Sequence, residues 1–214
     1  MICFSEILAE GIDSRLDFTL PLGNSAAIMT SRQSENDAFI RLILGFLAPD
    51  EGSFCIGADQ PAFLKDSEIA LLRRKTGAIY QDGGLISNLN LWENLTLQLA
   101  FEAVVPNKEI EQLAMAALSK AGYSGSYTAS VSRLTLFQRR QVAFARAFLV
   151  KPDLMVYQST FEGVSRAEQT QLSTLAWDYH RGGEITSIFL TSYPESLRGM
   201  DFDFTYYAGG MSQP

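Results

Sequence analysis

Soft metal ligands and strong nucleophiles are scarce in this 214-residue sequence: one histidine, His180, and two cysteines, Cys3 and Cys55. A zinc centre takes three or four such ligands, so no metal site is expected. Both cysteines lie in strand-like apolar runs and read as reduced, inert core thiols, since a disulfide framework uses more cysteines and an export route. His180, near the end of a helical stretch, reads as a surface residue compatible with the helix dipole. Arg139, Arg140 and Arg146 form the one basic cluster and read as a single exposed helix face. Three short patterns have a mechanical role instead of a chemical one. Ser34-Glu35-Asn36-Asp37, Thr135-Leu136-Phe137-Gln138 and Ser165-Arg166-Ala167-Glu168 each set a hydroxyl three residues ahead of a carboxylate or amide, the form of a helix capping box.

The rest of the chain must position these groups. Hydrophobic residues make up 47% and charged residues 19%, which excludes disorder as the main state and suffices for a sizeable core. Seventeen basic against 24 acidic side chains leave a net charge of −7, which disfavours a nucleic-acid partner. The most apolar stretch, 38–48, is interrupted by Arg41 and is far shorter than the roughly 20 residues a bilayer span needs. The start, Met1-Ile2-Cys3-Phe4-Ser5-Glu6, lacks a basic segment, so no signal peptide is expected and the cytoplasm is the default location.

Strands are expected over 1–8 and 16–20, and at Ala26-Ala27-Ile28-Met29, a continuous apolar run of the kind buried on both faces. A polar loop at 30–35 precedes a helix over 36–46. Ser53-Phe54-Cys55-Ile56 reads as a strand, 66–75 as a helix and Gly77-Ala78-Ile79-Tyr80 as a buried strand. Three helical stretches follow, 91–105, 107–121 and 135–150, on which Trp92, Phe101 and Met115 read as core. Then strand and helix alternate again: strands at 154–157, 186–191 and 202–208, with a helix over 166–181. The predicted fold class is α/β: a parallel sheet covered by helices, with a helical lobe at 88–150 inserted into a core lobe of 1–87 and 151–214, all in one domain.

Four stretches in order, 39–52, 77–85, Leu91-Trp92-Glu93-Asn94-Leu95 and Arg140-Gln141-Val142-Ala143-Phe144-Ala145-Arg146-Ala147, resemble the ATP-binding subunit of ABC transporters over nearly the whole chain. The 81–94 stretch looks most like subunits serving lipid-trafficking systems of the Mla/Mce type. The resemblance implies a P-loop NTPase-like core with a mostly parallel sheet, an N-terminal antiparallel β subdomain and an inserted helical subdomain.

The family's chemical motifs are another matter. The phosphate-binding loop G-x-x-G-x-G-K-[ST] falls on Thr30-Ser31-Arg32-Gln33-Ser34-Glu35-Asn36-Asp37, with no glycine and with Asn36 at the lysine position. Charged hydrogen bonds contribute roughly 1.5–3 kcal/mol each, so losing the lysine and two or three inward amides removes about 4–9 kcal/mol, several orders of magnitude in affinity. Ser34 is expected to cap the following helix and Asp37 to reach back to the Ser34 amide, placing the protein's own carboxylates where an anion would sit. Gln158 stands for the carboxylate that holds the magnesium shell and Ser159 for the general base; neither supplies the charge or basicity of the original. Ser192 stands at the switch-histidine position. The signature LSGGQ reads Leu134-Thr135-Leu136-Phe137-Gln138, keeping Leu134, a hydroxyl at Thr135 and Gln138 but losing both glycines. Gln81 survives in the loop that, in the family, faces both the nucleotide metal and the membrane subunit.

In family dimers each ATP lies between one subunit's phosphate loop and the other's signature, so losing both leaves neither composite site complete. The resemblance therefore implies a catalytically degenerate subunit with no ATP, magnesium or other cofactor. It would act structurally or as a regulator in a membrane transport complex, docking a permease through 81–94 and pairing with a motif-complete ATPase or with itself. One alternative is a working ATPase with non-consensus motifs that uses ATP and magnesium; another is a soluble binding module that has left transport.

Overall fold

The computed structural model describes residues 1–102, 107–183 and 185–208. Among the described residues, eight strands form two sheets. Strands β1 (Ile2–Ala9), β2 (Ile12–Leu20) and β4 (Glu51–Ile56) make an antiparallel sheet in the order β2-β1-β4. Strands β3 (Ser25–Met29), β5 (Thr76–Ile79), β6 (Leu154–Gln158), β7 (Thr186–Thr191) and β8 (Phe204–Tyr207) make a parallel sheet in the order β5-β6-β7-β3-β8. β3, β6 and β7 are buried at every position, as expected of central parallel strands sandwiched between layers.

The two faces of the parallel sheet feed two cores. Ala26, Ile28, Val156, Ile188 and Leu190 pack with Phe39 and Ile43 of α1 (Gln33–Ile43) and with Phe4 and Phe54 of the antiparallel sheet. Ala27, Met29, Met155, Tyr157 and Phe189 pack on the other side, with α3 (Leu91–Glu102), α4 (Asn107–Lys120), α5 (Leu136–Leu149) and α6 (Arg166–Gly183). The short α2 (Asp66–Arg74) contacts β5. Gly52 is required where β4 passes a bulge in β1: its φ is +78°, and a Cβ there would sit 2.2 Å from the Ser5 carbonyl oxygen.

Several expectations need correction. α1 begins at Gln33, three residues before the expected start, and ends at Ile43. The arginines do not form one exposed face: Arg140 is wholly buried. His180 is buried too, its Nδ1 2.7 Å from the Ile185 carbonyl oxygen and 3.1 Å from Ser187 Oγ, with the ring stacked on Trp177. Met115 faces outward rather than into the core, and the Phe101 side chain lies outside the described residues. The expected end of the 91–105 helix likewise runs past the described residues at 103.

Tyr157, at the centre of β6, stacks on Phe189 with ring centroids 4.4 Å apart and touches Phe144 and Phe161. Its hydroxyl is buried without a hydrogen-bond partner among the described residues, and burial pushes the phenol far above its ordinary value. An unmet buried hydroxyl costs about 1–3 kcal/mol. Tyr157→Phe is expected to raise stability by about 1 kcal/mol, read as a rise of about 2–4 °C in the thermal midpoint; a fall would mean that the hydroxyl has a partner.

Candidate functional site

In a parallel sheet, loops leaving the carboxyl ends of neighbouring strands converge. Here β5 leads to Gln81, β6 to Ser159, β7 to Ser192 and β3 to the 30–32 loop, and the register holds the ends level: Ile79 pairs with Tyr157, Gln158 with Leu190, and Met29 with Thr191. The structure therefore brings the start of α1 together with the ends of β5, β6 and β7.

The helix start is closed by a carboxylate, but not the expected one. Glu35, in the first turn of α1, accepts from the backbone N–H and the hydroxyl of Ser31, both at 3.0 Å, and is 1% exposed. It does what was expected of Asp37, because the helix begins earlier. Ser34 is not the cap: its hydroxyl accepts from Arg32 Nε at 2.9 Å, and Arg32 also pairs with Asp13 of β2. Asp37 lies two residues beyond Glu35, on another side of the helix, where the Gln158 amide of β6 donates to it.

Behind these lies a continuous polar network. The Thr30 hydroxyl donates to Asn36 Oδ1 at 2.7 Å, Asn36 Nδ2 donates to Ser159 Oγ at 3.1 Å, and Ser159 donates on to Gln33 Oε1 at 2.6 Å. Gln158 Oε1 in turn accepts the Gln81 backbone N–H at 3.2 Å. Asn36 is fully buried and Ser159 is 2% exposed, so the hydrogen bonds supply the partners that water cannot. Ser159 adopts φ +47°, a left-handed conformation costing a non-glycine residue roughly 1–2 kcal/mol; its backbone N–H is fixed to the Leu190 carbonyl at 2.8 Å.

Arg140 joins the loops from the other side. Its guanidinium donates to the Gln81 carbonyl through Nε at 2.9 Å and Nη2 at 2.6 Å, to the Glu162 carbonyl at 2.5 Å, and to the Ser159 carbonyl at 3.5 Å. Burial pushes this guanidinium down to about 10, against the pull of the Glu162 and Asp82 carboxylates. Glu162 accepts from the Thr191 hydroxyl at 2.6 Å, while Ser192 beside it is half-buried and Gln81 keeps its side chain exposed. Arg140, Gln33, Glu162 and Thr191 were not singled out from the sequence as site residues.

At the signature-equivalent stretch Leu134 is buried, and Thr135 caps α5 as expected. Its hydroxyl accepts from the Gln138 N–H at 3.2 Å, and Gln138 Oε1 accepts the Thr135 N–H at 3.0 Å. Ser165 and Glu168 form a similar reciprocal pair. The 86–90 turn is organised by buried Asn94, which accepts the Ile86 N–H at 2.7 Å and donates to the carbonyls of Ile86, Leu89 and Asn90. Beside it runs a groove of about 490 Å³ lined by Arg73, Arg74, Ile86, Leu97 and Arg146.

A five-stranded parallel sheet with a side antiparallel sheet, and a helix start aimed at the carboxyl ends of β3 and β6, is the frame of a nucleotide-binding cassette. The chain belongs to the ABC transporter family, whose model matches residues 16–158, two thirds of the sequence. It is 26% identical over 152 residues to the intermembrane phospholipid transport system ATP-binding protein MlaF of Escherichia coli K12, covering 71% of this chain and 56% of that protein. MlaF of Haemophilus influenzae is 23% identical over 195 residues, covering 91% of this chain and 74% of that one. In structure the chain is similar to the dimeric ATP-binding cassette MJ0796, solved with ADP and Pi: TM-score 0.83, 20% identity, 97% of this chain and 94% of that one covered. The chain thus spans little more than half the length of the Escherichia coli relative.

Proposed function

We propose that this chain is a catalytically degenerate cassette that neither hydrolyses nor binds ATP and serves as a structural or regulatory subunit of a membrane transport complex, of the lipid class its relatives name. The observation that carries the reading is the closed network at the start of α1. Glu35 takes the Ser31 amide, Asn36 and Ser159 bond each other, and Asp37 is held by Gln158. A triphosphate with magnesium needs inward amides, a cation and a carboxylate. These residues offer two carboxylates on the helix, an amide on the strand and no lysine, so the donor set does not fit that group. The groove beside Asn94 is the surface for a permease segment, and the 81–94 stretch around it is the docking region. A motif-complete ATPase or a second copy would complete the pair, which places the chain at the cytoplasmic face of the membrane through its partner. No helix among the described residues is long and apolar enough to cross a membrane.

Calorimetric titration of the purified chain with magnesium-ATP is expected to give no saturable heat, corresponding to a dissociation constant above about 1 mM. Saturable micromolar binding that disappears with EDTA would overturn the reading.

A further inference from the structure

The chain has two cysteines in 214 residues, and the fold sets them directly opposite each other. In the antiparallel pairing of β1 with β4, Cys3 is the register partner of Cys55, flanked by Ile2 with Ile56 and Phe4 with Phe54. Side chains of directly opposed residues leave the sheet on the same face. Ile2, Phe4 and Phe54 point into the core, so both thiols lie on the other face, half-buried and free. The Thr19 hydroxyl of β2 donates to Cys3 Sγ at 3.8 Å.

We propose that Cys3 and Cys55 are a redox-modification site that forms a reversible cross-strand disulfide. The ladder indicates what kind of disulfide. The Gly57 N–H donates to the Met1 carbonyl at 2.8 Å, and two steps along the same register Cys3 and Cys55 occupy the equivalent, hydrogen-bonded type of pair. Such pairs have Cα atoms about 5.5 Å apart, inside the range a disulfide accepts. Their Cβ atoms are about 5.5 Å apart, wider than the roughly 3.8 Å a relaxed disulfide prefers. The bridge therefore closes only by drawing the strands together, which makes it labile, the property of regulatory rather than structural disulfides.

The oxidant is a peroxide or a small disulfide. With hydrogen peroxide, one cysteine sulfur, as thiolate, attacks a peroxide oxygen; the O–O bond breaks and a sulfenic acid forms. The second cysteine sulfur then attacks the sulfenic sulfur; the S–S bond forms, the S–O bond breaks, and the oxygen leaves as water. Two thiols give up two electrons, peroxide accepts them, and two waters result. The new bond closes the segment 3–55, which holds β2, β3, the 30–32 loop and α1. This inference does not depend on whether the chain binds nucleotide.

The test uses the whole chain under native conditions, treated with one equivalent of hydrogen peroxide or with a glutathione redox buffer. The expected product is a monomer about 2 Da lighter with no titratable thiol, its thermal midpoint raised by roughly 5 °C, and both changes reversed by dithiothreitol. Cys3→Ser and Cys55→Ser should each instead take up a single glutathione and show no rise in midpoint. The proposal is overturned if the native chain keeps both thiols titratable, takes up two glutathiones, oxidises only to a linked dimer, or closes the bridge only in denaturant. Because the native chain gives the deciding result, a poorly folding variant does not blunt the test.

Discussion

Replacing Arg140 with leucine is expected to destabilise the chain by about 3 kcal/mol, lowering its thermal midpoint by roughly 6–12 °C. The leucine is too short to reach the place of the guanidinium, so lost hydrogen bonds and a small void both contribute. Arg140 is wholly buried, and its planar fork serves the carbonyls of Gln81 and Glu162 at once. Removing it leaves those acceptors to partial hydration, at about 1–3 kcal/mol for each that stays dry. Arg140→Lys keeps a charge but offers a single ammonium on a flexible stem, which cannot span both carbonyls. It should recover no more than about half of the loss. Urea unfolding followed by circular dichroism gives the magnitude, and amide hydrogen exchange gives the place. Exchange should accelerate at 81–85 and 159–163 well before it does in β3 or β7. A leucine variant within about 0.5 kcal/mol of the parent would show that the guanidinium ties nothing together.

Arg140 also shows where the sequence is legible and where adjacency misleads. Grouped by chain proximity with Arg139 and Arg146, it looks like part of a basic surface. Counted by helical period, it shares a stripe with Ala143, Phe144 and Ala147, all buried. The signal was present, but the side-chain type outweighed the spacing. His180 is a similar case, because its partners, Ile185 and Ser187, lie beyond the end of its own helix, where helix-dipole reasoning does not look. The strands β3, β6 and β7 were plain from the sequence because a parallel strand covered on both faces carries a continuous apolar centre, here Ala26-Ala27-Ile28-Met29, Leu154-Met155-Val156-Tyr157 and Ile188-Phe189-Leu190. The convergence of Asn36, Gln81, Gln158 and Ser159 followed from motif order, which fixes the strand ends on which they sit. Which carboxylate would close the helix start was not legible. A capping pattern is a local preference: α1 begins at Gln33, earlier than that pattern suggests, which gives the role to Glu35, and Asp37 is instead engaged by β6, 121 residues further along the chain, through the Gln158 amide.

That last contact reverses an arrangement of charges. In the phosphate-binding pattern a hydroxyl at the position of Asp37 and a carboxylate at the position of Gln158 share a metal; here the carboxylate is on the helix and the neutral amide on the strand. Restoring half of the pattern should therefore harm the protein. Gln158→Asp sets two carboxylates against each other at a position 4% exposed on the strand side, with solvent reaching Asp37. The expected cost is about 2 kcal/mol near neutral pH. The sign of its pH dependence follows from the facing charges. Each raises the other's folded-state pKa above the unfolded value near 4, so the variant approaches parental stability below that value and loses it as pH rises through the raised one. Restoring the other half should rescue it: in Asp37→Ser with Gln158→Asp the hydroxyl donates to the new carboxylate. Asp37→Ser alone, leaving the amide a weaker acceptor, should cost about 1 kcal/mol. The double variant should then be more stable than Gln158→Asp, a coupling of about 2 kcal/mol measurable by urea unfolding at pH 5 and pH 8. It should still fail to bind magnesium-ATP, because Glu35 continues to hold the Ser31 amide and Asn36 supplies no cation. Additive, uncoupled effects would mean that Asp37 and Gln158 do not meet in solution, and the closed network would lose its outer link.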